Sequence, residues 1–235
     1  MILFKKSTVV LDCFVTNNSI AELFPISFLR EHLPSWWKDI SKTASVDKCP
    51  VEISTIKRCP GFKDLFKNSI CIPAWSQYRL YQDPMHGFSH IAPNRSAEGL
   101  PHREEQLDGA FLDYQHYKLS SPWYVKESTG INFLMTQASW HDQTPCRFHI
   151  PTGMLEFKYQ HSTHVNLVAP KQTTLKEHDI LAGQPLVYLV PITEKKIKIN
   201  IEVVRQEELN KLQIYHHSFY NSYELTKKIL KDRHE

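Results

Sequence analysis

The chain has 235 residues, with 28 Lys and Arg against 25 Asp and Glu and a formal net charge of +3 at pH 7. So small a surplus lacks the basic footprint of a nucleic-acid binder, and 41% hydrophobic with 11% aromatic residues excludes a disordered or low-complexity chain. Only 7 Gly against 14 Pro points to an ordered, loop-rich, largely β protein, expected to fold as one globular unit.

The five cysteines, Cys13, Cys49, Cys59, Cys71 and Cys146, are widely spaced and include no C-x-x-C pair, which argues against a zinc ribbon or a disulfide scaffold. The opening MILFKKSTVVLDCFV has lysines after its first apolar residues and Asp12 inside its second apolar run, unlike a secretory signal. No apolar run approaches the ~18–20 residues of a bilayer crossing. A reducing, cytoplasmic location is therefore expected, with neither membrane nor nucleic acid as partner.

In chain order, residues 7–15 (STVVLDCFV) predict an opening strand from their β-branched content. Ser19 is placed to cap a brief helix that Pro25 stops, and a second short helix is predicted from Ser27 up to Pro34. Trp36 and Trp37 follow on what reads as an extended segment. Their rings are then expected on opposite sides, one anchored in the core and the other partly open, where it offers a surface for stacking a ligand. Residues 51–59 (VEISTIKRC) read as a half-buried strand. Pro60 and Gly61 turn the chain into a helix with Phe62, Leu65 and Phe66 on one face, and Pro73 puts the next strand at an edge or a bulge.

Between residues 83 and 108 periodicity disappears, which predicts a long loop carrying His86, His90 and His102. His86 and His90 have the i, i+4 spacing of helical zinc ligands, but Pro84, Gly87 and Pro93 oppose a helix there. The second half reads as short strands at 114–119, 123–126, 132–137, 147–150, 154–159, 165–168, 186–190 and 197–204, with turns at 128–130, 151–153 and 191–194. IKINIEV alternates most cleanly, with Ile197, Ile199, Ile201 and Val203 expected inward, and the basic run Lys195, Lys196 and Lys198 beside it reads as a solvated edge. Residues 205–235 predict an amphipathic helix through Leu209, Leu212, Tyr215, Phe219, Tyr223 and Leu230.

Strands at this spacing without intervening helices predict a mainly β protein with some α: an antiparallel sandwich, jelly roll or barrel over 110–204. An N-terminal α/β portion, 1–109, is expected to pack on it, with the helix 205–235 at the end. The segments FPISFLREHLPSWWKDI, IKRCPGFKDLF, IPAWSQYRL, SPWYVKESTGINFL, TGMLEFKYQHSTHVN and LAGQPLVYLVPI resemble a family of uncharacterised marine bacteriophage (cyanophage-type) proteins over most of the chain. The resemblance implies a phage origin and a jelly-roll-like body, with the protein in the cytoplasm of the infected host or in the virion. LAGQPLVYLVPI is also similar to the last strands of a cupin-like double-stranded β-helix. Relatives carry a D-T-D-like acidic motif where this chain has Glu156, Phe157 and Lys158, so only Glu156 keeps an acid.

Cupin-like barrels hold iron, manganese or zinc with imidazoles and one carboxylate from neighbouring strands. The ligand pool here is His141, Glu156, His161 and His164, with His149 nearby, though neither the H-x-D nor the H-x-H spacing usual in cupins occurs. If 154–168 were one strand, Glu156 and His164 would lie ~27 Å apart; a turn at residues 160–162 would bring them together as a hairpin. Glu156 and Lys158, two apart, otherwise read as a surface ion pair. Cys146 lies near His141 and His149 in sequence, and a buried, inert thiol is expected there. No P-loop or dinucleotide fingerprint occurs, so no nucleotide cofactor is indicated. Two functions remain open. One is a metal-dependent, oxygenase-like enzyme on a small molecule. The other is a non-catalytic virion component or binding module that associates, with itself or a partner, through exposed aromatics and the C-terminal helix.

Overall fold

A computed structural model describes residues 8–45, 51–85, 87–91, 99–101, 113–141, 148–213 and 227–228. The first strands are β1 (Thr8–Val15), β2 (Ser27–Phe28), β3 (Thr43–Ala44), β4 (Ile53–Ser54), β5 (Ile70–Pro73), β6 (Tyr78–Asp83), β7 (Gly87–Ile91) and β8 (Gly99–Pro101). They are followed by β9 (Tyr114–Leu119), β10 (Tyr124–Lys126), β11 (Phe133–Gln137), β12 (Gly153–Leu155), β13 (Val165–Pro170), β14 (Lys176–Ile180), β15 (Pro185–Pro191) and β16 (Lys196–Val203). The α-helices are α1 (Asn18–Leu23), α2 (Ser35–Asp39), α3 (Pro60–Asn68) and α4 (Gln206–Gln213). None of the described helices is long and apolar enough to cross a membrane.

The protein is mainly β, as its periodicity predicts. Strand pairing is antiparallel in the sheets β12-β11-β15-β5-β2, β13-β9-β8, β14-β6-β7 and β3-β4. In the sheet β10-β1-β16 the opening strand lies antiparallel to β10 and parallel to β16. Strands from before and after residue 109 thus share sheets: β5 sits between β15 and β2, and β14 pairs with β6. The body predicted over 110–204 is completed by the chain that precedes it.

The alternation in β1 explains its central place. Val9, Leu11, Cys13 and Val15 are fully buried on one face, and the core that Leu11, Cys13 and Val15 enter takes Ile72, Leu80, Tyr117, Phe133 and Leu167 from three other sheets, with Trp123 from just before β10. A β-branched, period-two segment apolar on one face gains most where both neighbours are strands, here β10 and β16. The bulge predicted near Pro73 appears as a register shift opposite it, between Pro185 and Val187.

Several local expectations are corrected. Asn17, not Ser19, caps α1, its side-chain oxygen accepting from the Ser19 and Ile20 N–H groups. The helix predicted from Ser27 is a two-residue strand followed by a 3-10 turn, Leu29–His32. Trp36 and Trp37 lie on the short helix α2 rather than an extended segment. Within the predicted loop 83–108 the chain forms β7 and β8; His86 and His102 lie outside the described residues, while His90 falls on β7 opposite Leu80. β14 is a strand the sequence reading omits. Of the predicted strand 147–150 residues 148–150 are described, and their pairing is a bridge from His149 to Val168; residues 142–147, with Cys146, lie outside the described residues. Of the predicted C-terminal helix, α4 and residues 227–228 are described; Leu209 is buried, and Tyr215, Phe219, Tyr223 and Leu230 lie outside.

The thiols differ in accessibility. Cys13 and Cys71 are buried, which pushes their ionisation well above the usual thiol range, whereas Cys59 is exposed at the start of α3. Of these three, Cys59 is expected to be alkylated in the native protein, and Cys13 and Cys71 only after unfolding. Peptide mass spectrometry after native iodoacetamide treatment checks this, and modification of Cys13 at the rate of Cys59 would contradict the burial.

Candidate functional site

The stretch 148–170 poses the question of a turn, and the structure answers it differently from both alternatives. β12 ends at Leu155, and the chain turns over residues 156–160, where the Glu156 carbonyl accepts from the N–H groups of Tyr159 and Gln160 at 3.0 Å each. The following residues run beside β10: Glu127 N–H donates to the Phe157 carbonyl at 3.3 Å, Val125 N–H to the His161 carbonyl at 2.7 Å, and Tyr124 bridges to Ser162. Only then does the chain enter β13, which pairs with β9. The two halves therefore join different sheets rather than forming a hairpin, because each finds a better apolar partner elsewhere. Leu155 lies opposite Phe133, and Leu167 opposite Tyr117.

The ligand pool is dispersed accordingly. His141 is held between the Tyr188 hydroxyl, 2.5 Å from Nδ1, and the His32 backbone carbonyl at Nε2. A carbonyl only accepts, so Nε2 carries a proton; Nδ1 then either accepts from Tyr188 or, in the imidazolium, donates to it, and neither nitrogen offers a lone pair. His164 Nδ1 accepts the Ser121 N–H at 3.2 Å, which puts the neutral ring's proton on Nε2 and again leaves no lone pair for a metal. His161 Nδ1 lies 3.0 Å from the Val125 carbonyl and so carries a proton. Glu156 pairs through Oε2 with Lys227 at 2.9 Å, not with Lys158, and the Lys158 and Lys227 ammonium groups each lie 5.5 Å from the centre of the Tyr159 ring. His149 is exposed beside Val168. Among the described residues no group of three or more His, Cys, Asp or Glu is placed to hold a metal ion. These donors do not fit the cupin-like centre.

What His141 organises instead is an aromatic shelf. Pro34 precedes α2, and the helical turn separates the two tryptophans: Trp37 goes into the core, stacked on Phe62 at 5.8 Å and tilted on Phe66 at 4.8 Å, while Trp36 stays half-buried. The predicted face of α3 supplies Phe62, Leu65 and Phe66 to this smaller core, which also includes Leu29, Ala138 and Tyr188. Trp140, in the turn after β11, lies 4.4 Å from Phe62 edge-to-face and 6.1 Å from Trp36, and its carbonyl accepts the Trp36 indole N–H at 2.8 Å. Trp140 remains 41% exposed. His141, next in sequence, is fixed to β15 and to the 3-10 turn through the bonds above, and its N–H donates to the Ala138 carbonyl at 3.0 Å.

Trp36, Phe62 and Trp140 thus form a partly open cluster of rings on the smaller core, tied together by the bond from the Trp36 indole N–H to the Trp140 carbonyl. Such a surface binds through stacking and apolar contact. The expectation that one of the tandem tryptophans is anchored and the other partly open holds, although a helix produces it. Nothing in the sequence pattern singles out Trp140, whose neighbours Ser139 and His141 are polar. Neither a protein-family model nor a curated protein matches this chain.

Proposed function

We propose that this protein is a non-catalytic binding or assembly protein, with the phage origin that the sequence resemblance implies and a jelly-roll-like body. The partly open shelf of Trp36, Phe62 and Trp140 is the observation that carries this reading: aromatic rings left partly open on a packed base are the residue types that dominate the centres of protein interfaces. The jelly-roll reading is supported by antiparallel pairing of strands far apart in sequence, such as β5 with β15 and β6 with β14. The competing reading, a metal-dependent enzyme on a small molecule, needs several imidazoles with lone pairs converging on one point. His141 and His164 offer none.

The test has two arms. Mass spectrometry of purified particles is expected to find the protein, and elemental analysis of protein purified without chelator is expected to find well under one divalent ion per chain. Stoichiometric iron, manganese or zinc that is lost on Glu156→Gln or His161→Asn overturns the proposal, as does absence from particles together with such a metal content.

A further inference from the structure

β16 is the longest strand at a sheet edge among the described residues, and its free side has a defined chemistry. Val204 donates its N–H to the Val15 carbonyl, and the parallel register with β1 is unbroken from Thr8 opposite Lys196 to Val15 opposite Val203. Backbone groups alternate in direction along a strand, so the even-numbered residues of β16 bond inward to β1. Ile197, Ile199, Ile201 and Val203 then turn their N–H and C=O groups outward. No described strand pairs with that edge.

The side chains of the same four residues lie on the core face, beside Val9, Leu11, Cys13 and Val15, yet only the first half of the strand is covered. Ile197 and Ile199 pack on the core, while Ile201 and Val203 are 38% and 47% exposed. This departs from the inward alternation expected of IKINIEV. It leaves an apolar, hydrogen-bonding edge of the kind natural proteins otherwise shorten, cover or charge. The six-residue β13, also at an edge, is bridged there by His149.

We infer that this edge pairs with β16 of a second copy, antiparallel about a two-fold axis at Asn200, joining two three-stranded sheets into one. In that register Ile199 faces the partner strand's Ile201, and Ile197 its Val203, as hydrogen-bonded pairs whose groups all point outward. Lys198 faces Glu202 as a non-hydrogen-bonded pair, where the strands bring side chains closest, ~4.5 Å between Cα atoms. Over residues 197–203 every apolar side chain meets an apolar one and Lys198 and Glu202 meet their opposites, as a self-complementary two-fold interface requires. Over the same residues, centring on Ile199 would instead set Lys198 against Asn200, and centring on Ile201 would set Glu202 against Asn200, so that neither pairs Lys198 with Glu202. Lys198 of the basic run is then part of an interface code rather than of a solvated rim. The pairing does not depend on what the Trp140 shelf binds.

Sedimentation equilibrium of the full chain is expected to show a dimer. Ile201→Pro removes an outward N–H that β1 does not use, and is expected to weaken association by more than about tenfold with the far-UV circular dichroism unchanged. Lys198→Glu and Glu202→Lys, which leave the core untouched, are each expected to raise the dissociation constant by about five- to tenfold, since a dimer contains each contact twice, and the double variant to restore it to within about twofold. A monomer at every concentration, a dimer unaffected by Ile201→Pro in folded protein, or single charge reversals that the double variant does not rescue would each overturn the pairing.

Discussion

Replacing Phe157 with alanine is expected to lower the free energy of unfolding by about 3–5 kcal/mol, measured by urea denaturation. Phe157 is fully buried in the turn at residues 156–160, its ring 5.1 Å from that of Phe133 in β11. Its carbonyl also holds the end of β10 through Glu127 N–H. Ring and carbonyl together pin the turn to two sheets, and removal of the ring leaves a cavity that a tight turn is poorly placed to fill. Phe157→Leu, which keeps most of the volume, is expected to lose about 1–2 kcal/mol. A loss below about 1 kcal/mol for alanine would mean that the turn is held by its backbone bonds alone.

Glu127→Ala is expected to cost about 2–4 kcal/mol in the same assay. Glu127 is 1% exposed and its carboxylate closes the loop after β10: Oε1 accepts from the Thr129 N–H at 2.5 Å and from its hydroxyl, and Oε2 from Gly130 N–H at 2.8 Å and Ile131 N–H at 3.2 Å. A carboxylate is the one side chain whose two ends both accept, and here every bond is charge-assisted. Partial exposure of Thr129 and Gly130 lets water take over some donors, which keeps the cost below the sum of the separate bonds. Glu127→Gln is expected to recover less than half of the loss, because one end then becomes a donor facing donors. Gly130 has φ +76, so Gly130→Ala adds backbone strain to the same loop. If Glu127→Gln were as stable as the parent protein, the loop would not depend on the charge.

The elements legible in the sequence are those whose side chains show a period without help. STVVLDCFV reads as a strand because alternate positions are apolar and become the buried face of β1, and PGFKDLFKN reads as a helix because Phe62, Leu65 and Phe66 fall on one face. β14 escapes notice because KEHDI has three exposed polar positions and only His178 and Ile180 buried. Its strand exists through pairing with β6, including Arg79 with Asp179 at 2.8 Å. α2 escapes because five residues carry too little propensity to outweigh two tryptophans; packing against Phe62 and Phe66 makes it a helix.

For the candidate site the division is sharper. Residue types alone pointed at His141, Glu156, His161 and His164 as metal ligands, since imidazole and carboxylate side chains are competent donors wherever they occur. Whether a donor is open depends on what the other nitrogen or oxygen touches, and those contacts come from far along the chain: Tyr188 and His32 for His141, Ser121 for His164, Lys227 for Glu156. The sequence by itself determined a mainly β protein, the buried face of its first strand and the aromatic face of α3, because each follows from periodicity within a single segment. Only the tertiary structure decided where 148–170 turns, which imidazoles have lone pairs left, and that Trp140 joins Trp36 and Phe62, because each of these depends on which distant strand takes the neighbouring place.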